Sequence, residues 1–150
     1  MSDRRLPFQP FGLIVAPAQT IFFGPHLRPD YADAPRSVQA VFLHEMTHCA
    51  QAQAGMDLIP RGIGAHASAR FLGRSAYAYD PSPAPLVGRP FEHQAAMVED
   101  AWRMLGGLLP RHADARLPDL LAALGHADVL ASRTASLSFG APPLLRTPLR

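Results

Sequence analysis

The chain has 150 residues, 48% of them hydrophobic and 17% charged, with a formal net charge of +2 and a single cysteine. That make-up suits one globular domain with a sizeable core, excludes an intramolecular disulfide, fits a reducing compartment and holds no apolar run long enough to span a membrane. All 14 basic residues are arginines, scattered from Arg4 to Arg150 without a long basic run, so neither nucleic acid nor a membrane is expected as a partner.

The first twelve residues, MSDRRLPFQPFG, carry two arginines. Pro7, Pro10 and Pro17 break the apolar segment behind them, and no small-residue cleavage site follows. No signal peptide is read, and a cytoplasmic location is expected. Residues 12–23, GLIVAPAQTIFF, hold two apolar runs, LIV and TIFF, on either side of Pro17-Ala18-Gln19. This pattern predicts a hairpin or two short strands. GPHLRPDYADAP reads as a loop punctuated by proline and glycine.

A helix is predicted over residues 34–55. Asp33 can cap it, Pro35 sits near its first turn, and Gly55 stands where a terminating glycine belongs. Val38, Val41, Phe42 and Cys49 give it an apolar side at helical spacing. Residues 56–89 are rich in proline and glycine and read mainly as loops. A second helix is predicted over 90–105, with Phe91, Ala95, Val98, Trp102 and Leu105 as its buried stripe. A short third helix follows Pro118 and ends before Gly125. From Ser132 the chain reads as a loose tail, which leaves residues 1–131 as the domain.

The chemistry concentrates in the first helix. His44-Glu45-Met46-Thr47-His48 is HExxH, a pattern expected only about 0.006 times in a shuffled chain of this composition. Residues four apart lie on one helical face, so both imidazoles can reach one metal ion. Zn2+ accepts neutral imidazole, and a catalytic site keeps three protein ligands and one water. Glu45 is rotated off that face by about 100° and is placed to take a proton from the water. A third ligand is required. The candidates are His26, His66, His93, Glu92, Glu99, Asp80 and Asp100. No histidine follows in the short GxxH spacing after His48. EHQAAMVED offers Glu92 and Glu99 seven apart, on nearly the same face of the second helix, and Glu99 or Asp100 can instead support a ligating histidine. Tyr77 or Tyr79 can serve as an electrophilic helper to a developing oxyanion. Gln51 can line the site, and Cys49 reads as a buried structural thiol.

HEMTHCAQAQAG, AYAYD and FEHQAAMVEDAW together resemble the Vgr-related zinc metallopeptidase domains of bacterial contractile-injection and Rhs-type proteins. The resemblance covers roughly residues 12–105, with His93 and Ala101 as departures from the pattern. It implies a zincin with a glutamate third ligand, placed at Glu92, and a peptidase without an assigned substrate; a peptide or protein is the default substrate, with cell-wall amides the alternative. Secretion-apparatus components are the further partners it suggests. The expectation is therefore an α+β, zincin-like domain with a small N-terminal hairpin or sheet packed on two central helices. Its metal ligands are expected to be His44, His48 and Glu92 around Zn2+, with Glu45 and Tyr79 catalytic. The alternative is a catalytically weak or inactive module that binds or supports a secretion or phage-like assembly. A deformylase reading needs a separate cysteine ligand, and Cys49, adjacent to His48, points off the ligand face.

Overall fold

The computed structural model of the chain describes residues 1–4, 14–16, 20–62 and 75–126. Three α-helices frame this part: α1 (Arg36–Gln53), α2 (Phe91–Leu105) and α3 (Leu117–Ala123); residues 58–62 are helical as well. A 3-10 turn over Gly24–His26 precedes them. α2 is central, packing against α1 on one side and α3 on the other. Among the described residues no helix is long and apolar enough to cross a membrane. The tail from Ser132, and His66 among the ligand candidates, lie outside the described residues.

The expected α+β architecture is not borne out, because the described residues are helical and contain no strand. The LIV and TIFF runs do meet, but Phe22 makes only isolated bridges, antiparallel to Val15 and parallel to Ser2. Phe22 N–H donates to Val15 O at 2.8 Å, and Phe23 N–H donates to Ser2 O at 2.9 Å. A ladder needs several consecutive paired residues. Here the chain turns at Gly24-Pro25 immediately after the contact. The apolar runs serve as core filling instead: Ile21 and Phe23 are fully buried. They pack with Tyr31, Ala34 and Cys49, and with Val38 and Phe42 of α1.

α1 starts at Arg36 with Pro35 as its N-cap and no side-chain cap, so Asp33 does not cap it as expected. Its end follows the sequence signal. Gly55 takes φ 87°, and Met56 N–H reaches back to Gln51 O at 3.0 Å, a left-handed terminating turn that a side chain would strain. α2 ends the same way at Gly107, with φ 78°.

The buried face of α2 is wider than the predicted stripe. Phe91 and Ala95 are buried, but so are Met97, Asp100 and Ala101. The reason is the second neighbour. Met97 and Ala101 pack on Tyr79, Leu120 and Ala123, while the α1 side receives Glu92 and Glu99. Trp102 is only partly buried. Its indole N–H donates to Gln39 Oε1 at 3.2 Å, and the Arg36 guanidinium lies 4.3 Å above its ring. That cation–π contact ties the start of α1 to the last turn of α2.

Candidate metal centre

α1 and α2 face each other with polar groups that a core normally excludes. His44, Glu45, His48 and Gln51 on α1 are buried, as are Glu92, Glu99 and Asp100 on α2. Burying so many polar groups is costly unless they hold one another or a ligand. His44 Nε2 and His48 Nε2 both face Glu92 Oε2, at 3.5 and 3.3 Å. These contacts are longer than charge-assisted hydrogen bonds. They match the edge of a tetrahedral shell, since ligand atoms about 2.0–2.1 Å from a zinc ion stand about 3.3 Å apart. His44, His48 and Glu92 together offer three ligand atoms within 4.8 Å of one another, all from buried residues. The donor set, two imidazoles and a carboxylate, is one that zinc favours.

The surrounding groups orient this cluster. His48 Nδ1 is 2.9 Å from Gln51 Oε1. With the proton on Nδ1 donated to that oxygen, Nε2 keeps its lone pair for the cluster. Gln51 is itself fixed across the helix pair, donating through Nε2 to Phe91 O at 3.0 Å and Gln94 Oε1 at 3.1 Å. On the other side, His44 Nδ1 lies 3.2 Å from Glu99 Oε2, and Glu99 Oε1 pairs with Arg111. Glu99 therefore backs His44 rather than joining the trio.

Charges in the cluster are strongly coupled. Burial works against a charged His44, but Glu92 and Glu99 outweigh it and raise its pKa to about 9. Burial also opposes the Glu92 carboxylate, yet His44 and His48 bring it down to about 2. Glu45 is pushed up to about 7, by burial first and only partly relieved by the two histidines. Its Oε2 is buried without a hydrogen-bond partner. A carboxylate poised near neutrality and not already hydrogen-bonded is suited to proton transfer.

The tyrosines separate in position. The Tyr77 ring stands edge-on to His44, centroids 5.7 Å apart. Tyr77 is 41% exposed, and the desolvation of its covered part, together with the nearby Glu92 and Glu45, raises its hydroxyl to about 12, so it stays protonated. Tyr79, the expected helper, donates its hydroxyl to Asp100 Oδ2 at 2.7 Å. Asp100 also accepts from the backbone N–H of Arg111 at 2.6 Å and of His112 at 3.0 Å, so it holds a loop against α2. Asp80 is bonded to Ser82 on the surface. His26 lines the cavity that His44 and Glu45 open onto, and neither it, His93 nor Asp80 belongs to the trio. Cys49 is buried, and burial raises its thiol pKa. Gln94 lies inside the FEHQAAMVEDAW segment but was not singled out there, and Arg111 and His112 carried no spacing signal in the sequence and reach the site through a loop.

In both sequence and structure the chain is similar to a Vgr-related effector domain. The relative is the type VI secretion system spike protein VgrG2b of Pseudomonas aeruginosa, 35% identical over 99 residues, which cover 63% of this chain and 10% of that protein. The structure of the effector domain of VgrG2b superposes with a TM-score of 0.59 at 28% identity, covering 87% of this chain and 64% of the effector-domain chain. No family model matches the chain. This chain thus spans about a tenth of the length of the spike protein it resembles.

Proposed function

We propose that the chain is a zinc-dependent metallopeptidase of the effector type, acting in connection with a type VI secretion apparatus. The observation that carries the reading is the convergence of His44 Nε2, His48 Nε2 and Glu92 Oε2 at tetrahedral-edge spacing. The similarity to an effector domain supports the secretion context.

His44, His48 and Glu92 would hold the ion. Bound zinc supplies Lewis acidity towards a carbonyl and makes a nucleophile of water near pH 7. Glu45 Oε2, buried and without a hydrogen-bond partner, accepts the proton of the attacking water and passes it to the leaving nitrogen. Tyr77, edge-on to His44 and protonated, donates its hydroxyl to the carbonyl oxygen as negative charge develops there. It takes the role expected of Tyr79, whose hydroxyl is engaged with Asp100. Glu99 and Gln51 keep the two imidazoles turned so that Nε2 of each faces inward.

The test is hydrolysis of a mixed peptide library by zinc-loaded protein beside Glu45→Gln. The proposal expects cleavage by the native chain, and a rate lower by about 10²–10⁴-fold in the variant with its zinc retained. Native protein that holds zinc yet cleaves nothing would leave only a binding or structural module.

A further inference from the structure

We propose that the cavity in front of the metal centre selects acidic peptides. The inference rests on the metallopeptidase reading and names its substrate class. His44, Glu45 and Tyr77 open onto a cavity of about 1150 Å³. Its carboxylates lie at the floor: Glu45, Glu99 and Asp100 are 7%, 5% and 1% exposed. Two of them are already engaged. Asp100 accepts three hydrogen bonds, and Glu99 is held between His44 and Arg111.

The cations stand at the mouth. Arg28, Arg103 and Arg111 all line the cavity; Arg28 and Arg111 are exposed and Arg103 is half-buried. Arg111 is paired with Glu99. Arg103 donates Nε–H to Leu109 O at 2.9 Å. No carboxylate forms a salt bridge with Arg28 or Arg103 among the described residues. An incoming peptide therefore meets, at the rim, the guanidinium groups of Arg28, free of salt bridges among the described residues, and of Arg103, whose charge is shared at a distance with Glu99. Guanidinium forks fit carboxylates through paired hydrogen bonds, and a charged cleft mouth concentrates ligands of opposite sign. A basic peptide meets like charge at the same place. Ile14, Leu27, Val38 and Val41 supply an apolar wall for the neighbouring side chains.

Matched peptides with acidic, neutral or basic residues around a central amide, offered to the zinc-loaded full chain, test this. The expected result is kcat/KM about tenfold higher for acidic than for neutral peptides at low ionic strength, with the gap narrowing as salt is added. Arg28→Glu should erase the preference. Arg61→Gln, an exposed arginine outside the cavity lining, should keep it. Fluorescence anisotropy of labelled peptides on zinc-loaded Glu45→Gln reads the preference without turnover. Equal cleavage of all three classes, or a preference for basic peptides, overturns the selectivity and leaves the metallopeptidase reading intact. Acidic peptides bound but none cleaved upholds the selectivity and overturns the enzyme. No cleavage together with no acidic preference in binding overturns both.

Discussion

Glu99 and Glu92 are the same residue type, seven apart on one helix, yet the surrounding atoms give them different work. Glu92 Oε2 faces both imidazoles through Nε2, whereas Glu99 faces His44 through Nδ1 and is braced by Arg111. On the proposed reading, removing the first takes a ligand. Removing the second lets a ligand turn. Glu99→Gln is therefore expected to weaken zinc affinity by about 10–100-fold, and Glu92→Ala to weaken it by much more. Competition with a fluorescent chelator measures both. Equal losses in the two variants would contradict the division of roles. Asp100 is a further residue whose work is local. It is 1% exposed and accepts from Tyr79, Arg111 and His112. Asp100→Ala strands two backbone donors and a tyrosine hydroxyl, a loss of about 3 kcal/mol. Thermal unfolding checks this, and a melting temperature unchanged from the native protein would count against it.

At the scale of elements, the two central helices were legible because each carries its own signals. Gly55 and Gly107 close α1 and α2 with left-handed turns, and His44, Glu45 and His48 of HExxH lie on the buried side of α1. Helix periodicity is local, so sequence shows it. The strands were misread because LIV and TIFF have strand composition, while pairing depends on a partner of sufficient length. Phe22 finds only single-residue bridges. The candidate trio was reached through the resemblance, since spacing alone left several ligands open. The residues around it were hidden for a different reason. Gln51 meets Phe91 and Gln94 across 40 and 43 residues, and no periodicity records such a meeting. Gln51 joins α1, His48 and the first turn of α2, so Gln51→Ala should loosen metal binding and the helix pair together. About tenfold weaker zinc binding with a lowered melting temperature is expected. Loss of neither would contradict its place as a clamp. The loop before α2 has a clamp of its own in Arg89. Its guanidinium donates to Asp80 O at 2.6 Å, Ser82 O at 3.0 Å and Ala84 O at 3.0 Å.

For the whole molecule, the proposed metal site makes an ion and a proton competitors for the same buried cluster. His44 is raised from its ordinary 6.5 to about 9, so in metal-free protein its charge contributes stability that is complete below pH 6.5 and is lost as pH rises towards 9. Glu92 is lowered from 4.5 to about 2, so its contribution is present above pH 4.5 and is lost as pH falls towards 2. Zinc must displace the His44 proton, and its affinity should therefore rise about tenfold per pH unit up to about pH 9, with about one proton released. Calorimetric titration in buffers of different ionisation enthalpy counts that proton. Chelation should lower the melting temperature, because an ion bound only by the folded chain stabilises it by mass action. The most direct measurement of the central claim is metal content by mass spectrometry of inductively coupled plasma, on protein purified without added metal, beside His44→Ala and Glu92→Ala. The account expects about one zinc per native chain and its loss from both variants. Native protein without stoichiometric metal, or variants that keep the native amount, would contradict it.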